Sequence, residues 1–206
     1  MATIYTIGHS TRTLEELVAA LKVHGIRTLV DIRSFPISRR LPHFNSESLE
    51  TVLPSHGISY VWMKELGGRR KKIRDDSPNI GLRNDSFRNY ADYMLTDGFA
   101  RGIERLLEEA GANSNVAIMC AERVYFRCHR MLVGDYLTAH GHKVLHIDDD
   151  KRPPCEHKLT AEAMMLNGEL VYRKQRLTLD LFPLPSAPEN PSTSRAKGGR
   201  SHHLRK

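Results

Sequence analysis

Two residues apart, Cys120 and Glu122 follow the apolar run Val116–Met119, and Cys128-His129-Arg130 comes soon after. A thiol at the end of a buried strand, facing the start of a helix, sits where its pKa is lowered and where it can act as a nucleophile or carry sulfur. Cysteine also fills buried space without doing chemistry, so Cys120 admits both readings. Asp31 and Glu122, each at the end of a strand-like run, are the residue types of an acid/base or water-activating pair, since a partly buried carboxylate can be tuned toward neutral pH. The alternative is that they pair with Arg33, Arg39 or Arg130 and only order loops. Those three arginines are planar bidentate donors, suited to phosphate or carboxylate recognition. Lys64, Arg69, Arg70, Lys71, Lys72 and Arg74 form a second basic run around Gly67-Gly68, where a mobile, phosphate-contacting loop is expected.

Two specific chemistries are testable on spacing. A tyrosine-phosphatase loop needs an arginine six residues after the cysteine and a glycine-rich backbone cradle; Phe126 stands there and no glycine lies between. A rhodanese-type sulfur carrier needs the thiol and tolerates other loop sequences. For metal, Cys120, Cys128, His129 and His9 are ligand types, but Cys128 and His129, adjacent at a helix start, are expected to point in different directions, and no C-x-x-C pair exists. Neither a metal nor any other cofactor is expected. Cys155 and His157, in a Pro-containing segment, read as incidental.

The elements that must position these residues alternate. Thr3–Ile7, Thr28–Arg33, Ile58–Met63, Val116–Met119 and Lys143–Ile147 read as strands, and the first is broken by Gly8-His9-Ser10. Thr13 to Glu16 reads as a capping box for a helix ending at Gly25; further helices are expected over 46–55, over 84–110 as one long or two short pieces, and over 128–140. Tyr90, Tyr93 and Trp62 read as core. Such alternation favours βαβ units and an open, mainly parallel sheet with helices on both faces, whose ligands bind at the carboxyl ends of the strands. Beyond 148, residues 159–166 look helical, and Glu169–Tyr172 with Leu177–Phe182 suggests a small C-terminal hairpin.

At 206 residues the chain fits one ordinary domain. The net charge of +7 is concentrated at the end: residues 183–206 hold five Lys or Arg against one Glu, with little to bury, so a single domain over 1–182 and a disordered basic tail are expected. No run spans a bilayer, and three cysteines make a poor disulfide framework, which points to reduced thiols and a cytoplasmic setting with no membrane partner.

Gly8-His9-Ser10, Val30–Arg33 with Pro36 and Ser38-Arg39, Leu66–Arg70, Phe87–Met94, and Cys120-Ala121-Glu122 with Cys128–Arg130, in this order over residues 2–147, resemble the bacterial and archaeal domain of unknown function 488 family. Tyr125-Phe126 departs from the Pro-Trp found in similar sequences. The resemblance implies a Rossmann-like fold and a site around the matching residues, and assigns no reaction. The residue types lead to the expectation of an enzyme acting on a phosphate-bearing substrate, nucleic acid or nucleotide, by carboxylate-assisted hydrolysis that includes N-glycosidic cleavage. Asp31 or Glu122 would assist proton transfer, with His9 and His129 orienting or protonating. Ser10, Arg33, Ser38, Arg39, Arg69, Arg70, Cys128 and Arg130 would hold substrate. Two alternatives stand beside it: sulfur transfer or thiol redox chemistry at Cys120 with Cys128 resolving, and a non-catalytic nucleic-acid-binding module.

Overall fold

The computed structural model describes residues 1–111 and 115–174; the expected strand 177–182 and the tail 183–206 lie outside them. In chain order the elements are β1 (Thr3–Gly8), α1 (Leu14–Val23), β2 (Thr28–Asp31), α2 (Ser46–Val52), β3 (Ser59–Trp62), α3 (Asp85–Met94), α4 (Asp97–Gly111), β4 (Val116–Cys120), α5 (Arg130–Ala139), β5 (Lys143–Ile147), β6 (Cys155–Glu156), β7 (Ala163–Leu166) and β8 (Glu169–Tyr172). The main sheet runs β3-β2-β4-β1-β5-β6, with the first five strands parallel and β6 antiparallel against β5. This is the expected α/β architecture. No described helix is long and apolar enough to cross a membrane.

Alternating side chains feed two cores. On one face, Ile4, Val30, Ile118 and Val144 pack against Leu132, Val133 and Leu137 of α5 and Tyr90, Phe99 and Leu106 of α3 and α4. On the other, Ile7, Leu29, Ala117 and Met119 meet Leu17, Val18 and Leu21 of α1 and Leu49 of α2. The chain leaves β1 by way of α1 and leaves the neighbouring β4 by way of α5, on opposite faces. The β1/β4 boundary is therefore where the crossovers diverge and a crevice opens at the strand ends. The capping box that starts α1 is present, with Thr13 Oγ1 accepting from the Glu16 amide and Glu16 Oε2 from the Thr13 amide.

Several readings of the sequence are corrected. Residues 163–166 form a strand rather than part of a helix, and the hairpin joins β7 to β8 across Asn167-Gly168, whose φ values of 52° and 86° suit a tight two-residue turn. Trp62 is 39% exposed because β3 is a sheet edge; its Nε1 donates to the Arg33 carbonyl. Tyr93 is half-buried and carries the Arg70 guanidinium on its ring, whereas Tyr90 is core as expected.

His157 is buried and far from incidental. Its Nε2 lies 2.9 Å from Asp135 Oδ1 and its Nδ1 2.9 Å from His146 Nε2, while His146 Nδ1 lies 2.7 Å from Thr6 Oγ1. Asp135 also accepts from Thr160 and Tyr172. One hydrogen-bonded chain thus ties β1, β5, the segment after β6, α5 and β8. A single acceptor fully enclosed by protein has its lone pairs matched, which is the condition under which a buried carboxylate stabilises.

His146 is pushed down to about 3, by burial first and then by His157, and His9 down to about 4, by burial first and then by Arg33. Both imidazoles are neutral in the fold, whereas the unfolded chain takes up protons below the ordinary value of 6.5. Between pH 6.5 and about 4 the unfolded state binds more protons, so stability falls as pH is lowered through that window. Urea unfolding midpoints are expected to decline steadily across it, and the slope is expected to shrink in His9→Asn; a flat profile would contradict the two buried neutral rings.

Candidate functional site

At the carboxyl end of the sheet the connection from β4 to α5 passes directly over β1. A Cβ on Gly8 would stand 1.9 Å from the Glu122 carbonyl oxygen and 2.7 Å from Arg123 Cα, so this position admits no side chain. Arg130, 1% exposed, holds the connection from beneath: its guanidinium donates to the carbonyls of Glu122 and Arg123 and to Thr6 Oγ1. The arginine expected to grip phosphate instead fixes a loop.

That loop delivers two thiols and an imidazole to one point. Cys120 Sγ lies 3.8 Å and Cys128 Sγ 3.4 Å from His129 Nδ1, and all three atoms fall within 4.8 Å of one another. The expectation that Cys128 and His129 diverge is overturned. It assumed a helix beginning at Cys128, where neighbours splay by about 100°. In the structure Cys128 is extended, with φ −131° and ψ 153°, His129 is the residue that opens α5, and the two side chains converge. His129 Nε2 lies 3.1 Å from the Ile32 carbonyl, an acceptor only, so this nitrogen carries a proton and Nδ1 is the ring atom turned toward the sulfurs. The ring packs on Tyr90, with centroids 5.2 Å apart, and over Gly68, where a Cβ would meet Nδ1 at 2.3 Å.

The two thiols are inequivalent. Cys128 is pulled down to about 6, chiefly by the hydrogen bond it receives from Cys120 and, against the effect of burial, by the Arg130 charge. Cys120 is pushed up to about 12 by that same bond and by burial. The two shifts have opposite signs, so Cys128 is the thiol whose anion the surroundings favour.

Above the thiols opens a cleft of about 710 Å³. Arg33, Ser34, Gly68, Ser86 and Glu122 contribute to its walls, with Phe35 and Ile37 at 68% and 72% exposure. The guanidinium groups of Arg69 and Arg127, also in the lining, make no hydrogen bond or ion pair among the described residues; Arg69 lies over the Phe35 ring at 5.8 Å. Of the expected site, the cleft brings together Arg33, Arg69, Cys120, Glu122, Cys128 and His129.

The others lie elsewhere or are engaged. Asp31 is fully buried, with both oxygens taken by Arg33 and Tyr60, and does not line the cleft. Glu122 is exposed and accepts from the Val124 amide of its own loop. His9, packed at a tilt against Phe44 with ring centroids 4.2 Å apart, lies 2.9 Å from the Ser10 carbonyl through Nδ1 and accepts from Arg33 at Nε2. Ser10 lines a separate hollow with Arg12 and Arg123. Ser38 accepts from the Leu41 amide in a turn, Arg39 is exposed beyond the cleft, and Arg70 donates to the carbonyls of Lys64 and Glu65. The Arg69 amide is likewise tied to Ser34 Oγ, so the basic run is anchored at its start. Phe35, Ile37 and Arg127 went unread; apolar residues flanking Pro36 in a loop are the signal that marks the first two.

A family model described as "Domain of unknown function DUF488" matches residues 13–137, more than half of the chain. Searches of curated proteins and of solved structures return no match.

Removing the Asp31 carboxylate leaves the Arg33 guanidinium buried without its counter-charge. Asp31→Ala is expected to cost about 3 to 5 kcal/mol of stability. The double change Asp31→Ala with Arg33→Met is expected to recover a large part of it in urea unfolding. Equal losses in the single and double variants would show that the pair is not what holds this wall.

Proposed function

The chain belongs to the DUF488 family, and since membership assigns no reaction we propose its function from the site: an enzyme that performs thiolate chemistry on a small anionic substrate, with sulfur transfer as the reaction. The observation that carries this reading is the convergence of two thiols on His129 Nδ1 at the floor of a cleft rimmed by two arginines that make no hydrogen bond or ion pair among the described residues. Cys128 is the nucleophile. It stands immediately before α5, where the helix amides and Arg130 favour negative charge, and Cys120 donates to it.

With an anionic sulfane donor the step balances. The Cys128 thiolate attacks the outer sulfur of thiosulfate, the sulfur–sulfur bond breaks, sulfite leaves with the bonding pair, and a Cys128 persulfide anion remains. Attack by an acceptor thiolate or cyanide then regenerates the Cys128 thiolate. Arg69 and Arg127 serve to draw and hold the anion, and Ser34 and Ser86 offer hydroxyls to its oxygens.

A second reading keeps a phosphate-bearing substrate, a nucleotide above all, because Phe35 and Phe87 in the cleft give a base something to stack on beside the two arginines. The carboxylate route to hydrolysis has less support, since Asp31 is committed to Arg33 and Tyr60, which leaves Glu122 without a partner carboxylate.

In reduced, metal-free protein at pH 7, iodoacetamide is expected to modify Cys128 well before Cys120, read by peptide mass mapping. Cys128→Ser is expected to lower thiosulfate-to-cyanide sulfur transfer by about 100-fold or more, with Cys155→Ala unaffected. Slow alkylation of Cys128 with transfer intact in Cys128→Ser would sink the proposal. Activity on a nucleotide that survives Cys128→Ser but not Glu122→Gln would move the function to the second reading.

A further inference from the structure

The same three atoms have the dimensions of a coordination shell. For zinc-type bonds of about 2.3 Å to sulfur and about 2.0 to 2.1 Å to nitrogen, tetrahedral geometry places sulfur about 3.6 Å from nitrogen and the two sulfurs about 3.8 Å apart. The structure has 3.8 Å and 3.4 Å for the two sulfur–nitrogen separations and all three atoms within 4.8 Å. The ligand set is assembled before any ion arrives.

Two independent features support metal capture at this point. The proton of His129 is held on Nε2 against the Ile32 carbonyl, the outer-shell arrangement that turns the Nδ1 lone pair toward a metal and fixes the plane of the ring. Gly68 closes over Nδ1 with no side chain. Its virtual Cβ falls 2.3 Å from that atom and 2.7 Å from both of its ring neighbours, so any other residue would press on the face of the ring at its ligating nitrogen. Two sulfurs and an imidazole select a soft or borderline transition ion over magnesium or calcium, which take oxygen. Three protein ligands at the floor of a cleft leave the fourth direction open, the pattern of a reactive rather than a closed structural site.

We infer that Cys120, Cys128 and His129 form a binding site for a soft divalent transition-metal ion of the zinc type, with its fourth position facing the cleft. Binding displaces the proton on Cys120: one divalent ion, the Cys128 thiolate and the Cys120 thiol give a neutral bis-thiolate complex and one released proton at pH 7, with no change of oxidation state. The bound ion ties up the sulfur atoms that the thiol reaction uses, so the metal-loaded and sulfur-carrying forms exclude each other.

Cobalt(II) is the probe. Full-length reduced protein, freed of metal by a chelator, is expected to take up one cobalt per chain. The expected signature is thiolate-to-cobalt charge transfer in the near ultraviolet and intense tetrahedral bands in the visible, displaced by zinc. Cys120→Ser, Cys128→Ser and His129→Gln are each expected to weaken binding by at least about 10-fold, since outer-shell changes alone cost that much. Gly68→Ala should weaken it without removing a ligand, and Cys155→Ala should have no effect. Thermal unfolding and near-ultraviolet circular dichroism of each variant separate lost ligands from lost fold. Absence of the charge-transfer band in folded protein, or a band that persists in both Cys120→Ser and Cys128→Ser, would overturn the site. Fast alkylation of metal-free Cys128 with no cobalt band leaves the thiol function standing and removes the metal. A cobalt band with slow alkylation of metal-free Cys128 does the reverse.

Discussion

The passage of the β4–α5 connection over the end of β1 sets the terms for the whole carboxyl face. The Glu122 carbonyl occupies the space where a side chain at position 8 would stand, so the two strands and the loop can coexist only through a glycine. Interiors are packed densely enough that one extra carbon is felt, and here it would meet backbone rather than a yielding side chain. Arg130 completes the arrangement from inside, exchanging water for the loop's own carbonyls and for Thr6. Its charge does not leave the site altogether. Lying next to Cys128, it favours the thiolate while its donors serve the backbone, so one buried cation both shapes the loop and biases the chemistry.

Charge around the site is handled by pairing rather than by exposure. Arg33 and Asp31 neutralise each other under the cleft wall, and His9, His146 and His157 are integrated as hydrogen-bonding rings. What remains uncommitted at the mouth is therefore informative. Arg69 and Arg127 are cations whose guanidinium groups make no hydrogen bond or ion pair among the described residues, with Arg69 over the Phe35 ring and Ile37 in the same lining. Such a rim complements an anion, and its apolar part gives contact area that a bare electrostatic patch lacks.

The sheet was legible because short β-branched apolar runs and Gly breaks are local signals, and the capping box of α1 marked a helix start to the residue. So was the region of the site, since topology gathers strand ends. The roles within it were harder to read. Whether Asp31 faces a cleft or an arginine two residues on depends on the turn after β2, and whether Cys128 and His129 converge depends on a helix starting at Arg130 rather than two residues earlier. Boundaries of that size are set by tertiary contacts. Residues 163–166 illustrate the same limit: Ala163 to Leu166 suits a helix by composition, yet pairing across the Asn167-Gly168 turn makes it a strand. His157 looked incidental because its partners, Asp135 and His146, come from elements whose packing no local pattern reveals.

Cys120, Cys128 and His129 all come from one ten-residue stretch, whereas Ser34, Gly68 and Ser86 on the cleft walls come from far earlier in the chain. The entropy of closing a loop grows with its length, by about 0.6 kcal/mol per doubling, so the reactive cluster is the cheaper of the two to assemble. During folding its backbone frame forms once β4 and α5 dock, and the Ile32 carbonyl, Tyr90 and Gly68 then fix the plane of the His129 ring. In the native protein a change at Phe35, Ile37 or Arg69 alters who may enter, whereas a change at Gly68 reaches the imidazole itself. Access and chemistry are then carried by separate stretches of chain that meet at one glycine.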